Sequence, residues 1–285
     1  MSFADALYKE LVYGGHLLAL GTSSMAATVS LVLGRVPSWD LLLMAYLFSL
    51  GAYSINRFSD FEEDAVSHPD RTAYLKGRVG GLKAISATCF ALGYFLALLR
   101  NLIFFGALLV PLALALAYSV GSGRMKGALG FTRLKEATLV KNLTISFGWS
   151  LVPVLVGLYY LQLPLAILAL SPFVFLRIMV NTIFFDQRDA AADASFGVRT
   201  LPVTMGMSAS SRVMDALDLA SAVYLVGAIA GGIVPLFAGA LVVFVPYSFA
   251  YRLYSRSGKH KDSIRDFAAD GEYLLWGVVT CIGHL

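Results

Sequence analysis

Nine runs of mostly apolar residues, most of them about twenty long, follow one another along this chain, and they decide its fold class. About twenty apolar residues let an α-helix cross a hydrocarbon core of about 30 Å, and helices or closed barrels alone satisfy their backbone there. The runs cover roughly 14–34, 39–56, 82–99, 102–120, 142–160, 164–185, 214–233, 234–253 and 269–285. The last is short and has Asp270 and Glu272 at its start. Composition agrees: 58% of residues are hydrophobic, 14% are charged and the mean hydropathy is +0.73, which excludes an ordinary soluble domain. The expectation is an all-α, polytopic integral membrane protein. Nine transmembrane helices would surround a central cavity in a single domain, residues 1–285, with helical loops capping the cavity on one side. Asp5, Lys9 and Glu10 precede the first run, so no cleavable signal peptide is expected. Phe3, Leu7 and Leu11, at helical spacing, predict an amphipathic juxtamembrane helix.

Two acidic clusters break this apolar background. The first is Asn56-Arg57-Phe58-Ser59-Asp60-Phe61-Glu62-Glu63-Asp64, and the second is Asp186-Gln187-Arg188-Asp189-Ala190-Ala191-Ala192-Asp193. On a helix Asn56, Asp60 and Asp64 share one face, and so do Asp186, Asp189 and Asp193. Carboxylates stacked in this way repel one another, more strongly where water is scarce, so a positive partner is required. Hard oxygen ligands without cysteine or histidine point to Mg²⁺, which combines carboxylates with substrate phosphates. The plain alternative is a pair of solvated helix ends neutralised by Arg57, Arg71, Arg188 and Arg199. Two matched clusters among only 18 acidic residues weigh against it, because ionisable groups in membrane spans face cavities and mark function.

Basic residues set the orientation. Arg57, Arg71, Lys76, Arg78 and Lys83 follow the second run, and Arg124, Lys126, Arg133, Lys135 and Lys141 follow the fourth. Arg188, Arg199 and Arg212 follow the sixth, and a further basic group from Arg252 to Arg265 follows the eighth. The opposite side has Arg35 and Arg100. By the positive-inside rule the N-terminus and the acid-bearing loops are cytoplasmic, in the cell membrane if the source is prokaryotic. The pI of about 9.0 reflects these loops; it implies membrane lipid and no nucleic acid as partner.

With these positions in view, the chain resembles the UbiA-type intramembrane prenyltransferases. Asn56-x3-Asp60-x3-Asp64 and Asp189-x3-Asp193, with Asp186 upstream, resemble that family's two aspartate motifs. Pro69-Asp70-Arg71 and Gly197-Val198-Arg199-Thr200-Leu201-Pro202 resemble the segments that follow them. The resemblance implies Mg²⁺-dependent transfer of an isoprenyl group from an isoprenyl diphosphate to a lipophilic acceptor inside the membrane. It implies Asp60, Asp64, Asp189 and Asp193 as catalytic residues, and these four with Asn56 and Asp186 as ligands for two Mg²⁺ ions. Asn56, Arg71, Tyr118, Lys126, Asn142, Arg188 and Arg199 become the candidates for binding substrate. Tyr53, Phe58, Phe61, Phe184 and Phe185 are candidate aromatic walls for an allylic cation. The chain departs from the family pattern after Arg71, where Thr72-Ala73-Tyr74-Leu75-Lys76-Gly77 retains only the glycine. It departs again at Tyr118-Ser119-Val120-Gly121-Ser122, which lacks the usual lysine.

The alternative reading is a cation-coupled transporter, whose acids would bind the coupling ion. Transporter sites lie near the bilayer midplane on broken helices, whereas these acids sit at helix ends beside basic loops. The membrane CDP-alcohol phosphotransferases also pair Asp-x3-Asp motifs, but their Asp-Gly and Ala-Arg dipeptides are missing at the required spacing. Arg177, within the sixth run, reads either as a buried arginine tying neighbouring helices or as a contact for the acceptor. Cys89 and Cys281 read as small buried hydrophobes.

Overall fold

The computed structural model describes residues 3–119, 139–195, 197–257 and 261–285, and all secondary structure among them is helical. We number the helices α1 Phe3–Tyr13, α2 His16–Val32, α3 Trp39–Ser59, α4 Phe61–Ser67, α5 Pro69–Leu75 and α6 Val79–Arg100. The remainder are α7 Leu102–Ser119, α8 Val140–Tyr159, α9 Leu165–Ser195, α10 Leu201–Ala230, α11 Leu236–Ser255 and α12 Lys261–His284. Each of the nine predicted runs coincides with one of these helices. Among the described residues seven are long and apolar enough to span a membrane, and an eighth span results if α1 and α2 count as one bent pair. The predicted ninth span falls on α12, which is long enough; Asp266, Asp270 and Glu272 on its first turns keep it below the apolarity of the others. The count of nine is therefore not reached.

Helices consecutive in the chain pack side by side, and α12 packs back along α2, closing a ring. Small and hydroxylated residues let that closing pair approach closely. Ser24 Oγ donates to the Leu274 carbonyl at 2.6 Å and accepts from the Gly277 amide at 2.8 Å, while Thr28 and Thr280 hydroxyls meet at 3.1 Å. A Cβ at residue 277 would lie 2.4 Å from Ser24 Oγ, so a larger residue there would displace the hydroxyl that ties the two helices. The apolar core inside the ring includes Met25, Met44, Tyr159, Ile167, Phe173 and Trp276. Leu92, Phe95, Leu99, Leu219 and Val223 point outward, as a lipid-facing surface requires.

Two local features position the site. The chain bends by 61° between α1 and α2, at Gly15, whose φ of +85° suits glycine and whose Cα faces the Tyr53 ring. α9 runs unbroken for 31 residues through both its apolar stretch and the second acid motif. It ends at Gly197, with φ +71° and a hydrogen bond from the Val198 amide to the Asp193 carbonyl at 2.8 Å. The segment after the second run does fold as the short helices α4 and α5. After the sixth run α9 carries on to Ser195, and α10 opens with a short helical piece that breaks at Gly206, φ +83° and ψ +165°, before its long apolar part.

Candidate functional site

α3 stops at Ser59 and α4 starts at Phe61, so Asp60 lies at a junction rather than inside one helix. The backbone still bonds four residues back across it, Asp60 to Asn56 at 3.0 Å and Asp64 to Asp60 at 2.8 Å, so the three side chains keep their common face. Pro69 ends this segment and opens α5, where its missing amide costs nothing. The next turn brings Arg71 back beside the motif. On α9 the stripe Thr182, Phe185, Asp186, Asp189 and Asp193 faces inward. Gln187 points away and hydrogen-bonds Met207, Ser210 and Ser211 on α10.

The two stripes line one cavity of about 510 Å³ at the end of the bundle where α3, α7 and α9 finish and α8 and α12 begin. Among the described residues seven aspartates line it, residues 60, 64, 186, 189, 193, 266 and 270, against four cationic side chains, Arg57, Arg71, Lys141 and Arg188. Asp64 is bracketed by Arg57 Nη1 at 3.2 Å and Arg71 Nη2 at 2.8 Å. Burial pushes the Asp64 carboxyl up, but the two guanidinium groups outweigh it and hold it below the usual carboxylate range. Burial and the neighbouring Arg57 pull Arg71 down to about 10 against the opposing effect of Asp64. Asp189 accepts from Arg188 Nε at 2.8 Å and Nη2 at 3.0 Å, and His68 Nε2 lies 3.2 Å away. Burial also lowers the pKa of His68. Asp186, fully buried, is taken up by Lys141 Nζ at 2.7 Å and Asn142 Nδ2 at 2.8 Å. Four buried atoms at or beside this cavity have no hydrogen-bond partner: Arg57 Nε, Arg71 Nε, Asn142 Oδ1 and Asp193 Oδ2.

A second cavity of about 300 Å³ adjoins the first and is almost wholly apolar, lined by residues such as Met44, Phe48, Phe104, Leu108 and Val152. Tyr53, Asn56, Tyr118, Ile145 and Trp149 border both, so a charged chamber opens onto a greasy one. That pairing suits an amphiphile with an anionic head and a hydrocarbon tail.

The sequence profile of the UbiA prenyltransferase family matches residues 18–277. The chain belongs to that family. It is thus a membrane-embedded prenyltransferase that carries out isoprenyl transfer, and the transporter reading has no support. It is 30% identical over 229 residues to the digeranylgeranylglyceryl phosphate synthase of Methanothermobacter thermautotrophicus, covering 76% of this chain and 75% of that one. Its fold is similar to that of a UbiA homologue from Archaeoglobus fulgidus bound to GPP and Mg²⁺, with 16% identity and a TM-score of 0.65 over 95% of this chain and 99% of that one. It is also similar to an apo UbiA homologue from Aeropyrum pernix, with 16% identity and a TM-score of 0.66 over 94% and 95% of the two chains.

Within this prenyltransferase, Asn56, Asp60, Asp64, Arg71, Tyr118, Asp186, Arg188, Asp189 and Asp193 all line the charged cavity, and Asn142 reaches it through Asp186. Arg199 does not: the turn at Gly197 carries it to an exposed position while its neighbour Val198 lines the wall. Lys126 lies outside the described residues. Tyr53 and Phe185 line the chamber, whereas Phe58, Phe61 and Phe184 are not among its lining residues; Phe184 packs on Tyr251 instead. Sequence reasoning missed His68, Lys141, Trp149, Asp266 and Asp270. Lys141 carried a signal in its place beside Asn142 at the mouth of a span, and Asp270 one in its charge inside an apolar run. Cys281 is exposed on the outer face of α12, contrary to expectation, whereas Cys89 is buried.

Proposed function

We propose that this prenyltransferase binds an isoprenyl diphosphate through divalent metal, Mg²⁺ by the chemistry of its ligands, and that the charged chamber holds the diphosphate while the apolar one holds the isoprenyl chain. The observation that carries the reading is the excess of aspartate over cationic side chains among the described residues that line the chamber. Such an imbalance needs added positive charge. Among the described residues no three acids or imidazoles converge on one ion as they stand, since arginine and lysine hold most of their oxygens. The donor set nonetheless fits a hard cation: all the ligating atoms are oxygens, and Asp193 Oδ2 is buried with no partner.

Asp60, Asp64, Asp189 and Asp193, with Asn56, are the ligands in this reading, for two ions. Asp186 orients Lys141 and Asn142 behind them. When bound, the metal stabilises negative charge on the departing diphosphate. Arg71 and Arg188 bind the diphosphate oxygens by their planar forks. Tyr118, at the boundary of the two chambers, orients the reacting end of the chain. The rings of Tyr53, Phe185 and Trp149 offer π-faces to the allylic cation and exclude water from it. The acceptor is lipophilic. The names of the curated relatives make a prenylated glyceryl phosphate the first to try. The whole of 1–285 acts as one domain, with α1 and the chamber on the cytoplasmic side.

The test is direct. Purified protein should bind a non-hydrolysable isoprenyl diphosphate analogue in the presence of Mg²⁺ and lose it with chelator; tight binding in chelator refutes the metal role. Orientation is tested separately. A cysteine replacing Ala73 should react with an impermeant thiol reagent only after the cytoplasmic face is opened, and one replacing Leu161 from outside. The reverse pattern overturns the sidedness.

A further inference from the structure

Arg188 is divided between two carboxylates from different helices. Its Nε and Nη2 grip both oxygens of Asp189 at 2.8 and 3.0 Å, and its Nη1 donates to Asp266 at the start of α12. Asp270 lies one turn further along α12 and lines the same chamber, and both α12 acids pull electrostatically on Arg188. The guanidinium stacks on Phe185, 4.6 Å from the ring centre. Neither α12 acid belongs to an aspartate motif.

This grip conflicts with the role proposed for Asp189. A guanidinium fork takes one lone pair of each carboxylate oxygen, so a divalent ion must come in on those that remain, beside the arginine's positive charge. The fork thus weakens Asp189 as a ligand while it stays in place. A buried guanidinium cannot simply be released either, because an unpaired buried charge is strongly unfavourable. It needs another carboxylate within reach, and α12 supplies two.

We propose that Asp266, backed by Asp270, is a positioning residue that draws Arg188 off Asp189 when a divalent ion binds. The Nη1 contact already made to Asp266 and the stack on Phe185 act as pivots, so the guanidinium exchanges partners without leaving the chamber. The freed oxygens of Asp189 then face the ion, and Arg188 remains beside the metal, where a diphosphate can meet it. This inference rests on the metal reading of the chamber given above.

Mn²⁺ titration followed by electron paramagnetic resonance, on purified full-length protein without substrate, tests it independently of turnover. Asp266→Asn keeps an acceptor for Nη1 but removes its charge, leaving Asp189 as the one carboxylate in hydrogen-bond contact with Arg188, and should weaken Mn²⁺ binding roughly tenfold, as losses of outer-sphere carboxylates do. Asp266→Glu should bind within about twofold of the unaltered protein. Adding Arg188→Met to Asp266→Asn should restore affinity, since the competitor is gone. If Asp266 merely fastens α12 to α9, Asp266→Asn lowers the melting temperature and leaves the Mn²⁺ curve in place, which overturns the proposal. A double variant as weak as Asp266→Asn also overturns it. Should Asp266→Asn fail to fold, Asp270→Asn must show a smaller shift in the same direction; an unshifted curve sinks the idea. Absence of saturable Mn²⁺ binding in the unaltered protein would instead bring down the metal reading itself, and this inference with it.

Discussion

Arg177 and Arg188 lie three turns apart on α9, and both are buried among carboxylates. Their surroundings differ in one respect. Arg177 donates Nε and Nη2 to Glu272 at 2.7–3.0 Å, Nη2 also to the Phe244 carbonyl at 3.0 Å, and Nη1 to Asp218. Asp218 in turn accepts from Ser248 at 2.5 Å and from Arg252 at 2.7 Å, and Arg252 continues to Asp215 at 2.8 Å. Every charged atom of Arg177, Glu272, Asp218 and Arg252 has a partner. The chamber around Arg188 is open by contrast, with orphaned atoms on Arg57, Arg71, Asn142 and Asp193 and an excess of acid. Saturated buried charge joins helices; unsaturated buried charge is held ready for a ligand. The same residue types serve either purpose, and only the tally of partners tells them apart.

The sharpest way to break this contrast is to neutralise acids in the open chamber. Asp193→Ala and Asp64→Ala should each lower turnover by about 10²-fold or more; in the absence of metal Asp193→Ala, which removes an unpartnered carboxylate oxygen, should melt no lower, whereas Asp64→Ala, which strands Arg57 and Arg71, should melt lower. If both retain near-normal activity in a radiolabelled prenyl-transfer assay, the chamber is misassigned. The closed network should respond in the opposite manner. Arg177→Met strands Glu272 and Asp218, and should cost about 3–5 kcal/mol, seen as lost yield or a much lower melting temperature. Replacing Glu272 and Asp218 by leucine as well should recover most of that loss. A stable Arg177→Met protein would mean that the network is not structural.

Arg71 lies between these extremes, because it pairs with Asp64 and still carries an orphaned Nε. Loss of a charged hydrogen-bonding group of this kind costs about 1.5–3 kcal/mol. Arg71→Ala should therefore weaken binding of a diphosphate analogue by roughly that amount, and Arg71→Lys by less, since charge survives without the fork. Unchanged affinity in Arg71→Ala would make it a purely structural partner of Asp64. The smallest effect is expected at the half-exposed pair of Glu10 and Arg78, 3.3 Å apart. Glu10→Gln should change thermal stability by about 0–1 kcal/mol. A larger loss would mean that α1 is fastened to the start of α6, and through Tyr74 to α5, more firmly than a surface pair allows.

Much of this was legible in the sequence, for identifiable reasons. Apolar runs announce spans because the bilayer fixes their length, and Asp60, Asp64, Asp189 and Asp193 stand out because charge is scarce around them. Helix periodicity gave the inward stripe on α9 correctly. The junction at Asp60 was not legible, because Phe61-Glu62-Glu63 continues a helical pattern across it. Nor were the partners of Arg177, since Asp218 and Glu272 are 41 and 95 residues away and no local spacing links them. Asp270 spoke only against a ninth span, and Asp266 carried no signal, until the ring closed and brought α12 beside α9. Resemblance to relatives pointed at Arg199, but the turn at Gly197 aims it outward.

The closing of the ring by α12 also bears on how the protein is made. A chain emerges from the ribosome N-terminus first, so α12 is synthesised after every other helix described. Until it arrives, Arg177 lacks Glu272, Arg188 lacks Asp266, and the seam along α2 stands open to lipid. Arg177 and Arg188 must therefore wait in the membrane half-paired, and a nascent chain arrested short of α12 would lack part of the chamber wall. Assembly of the chamber thus waits on the arrival of α12.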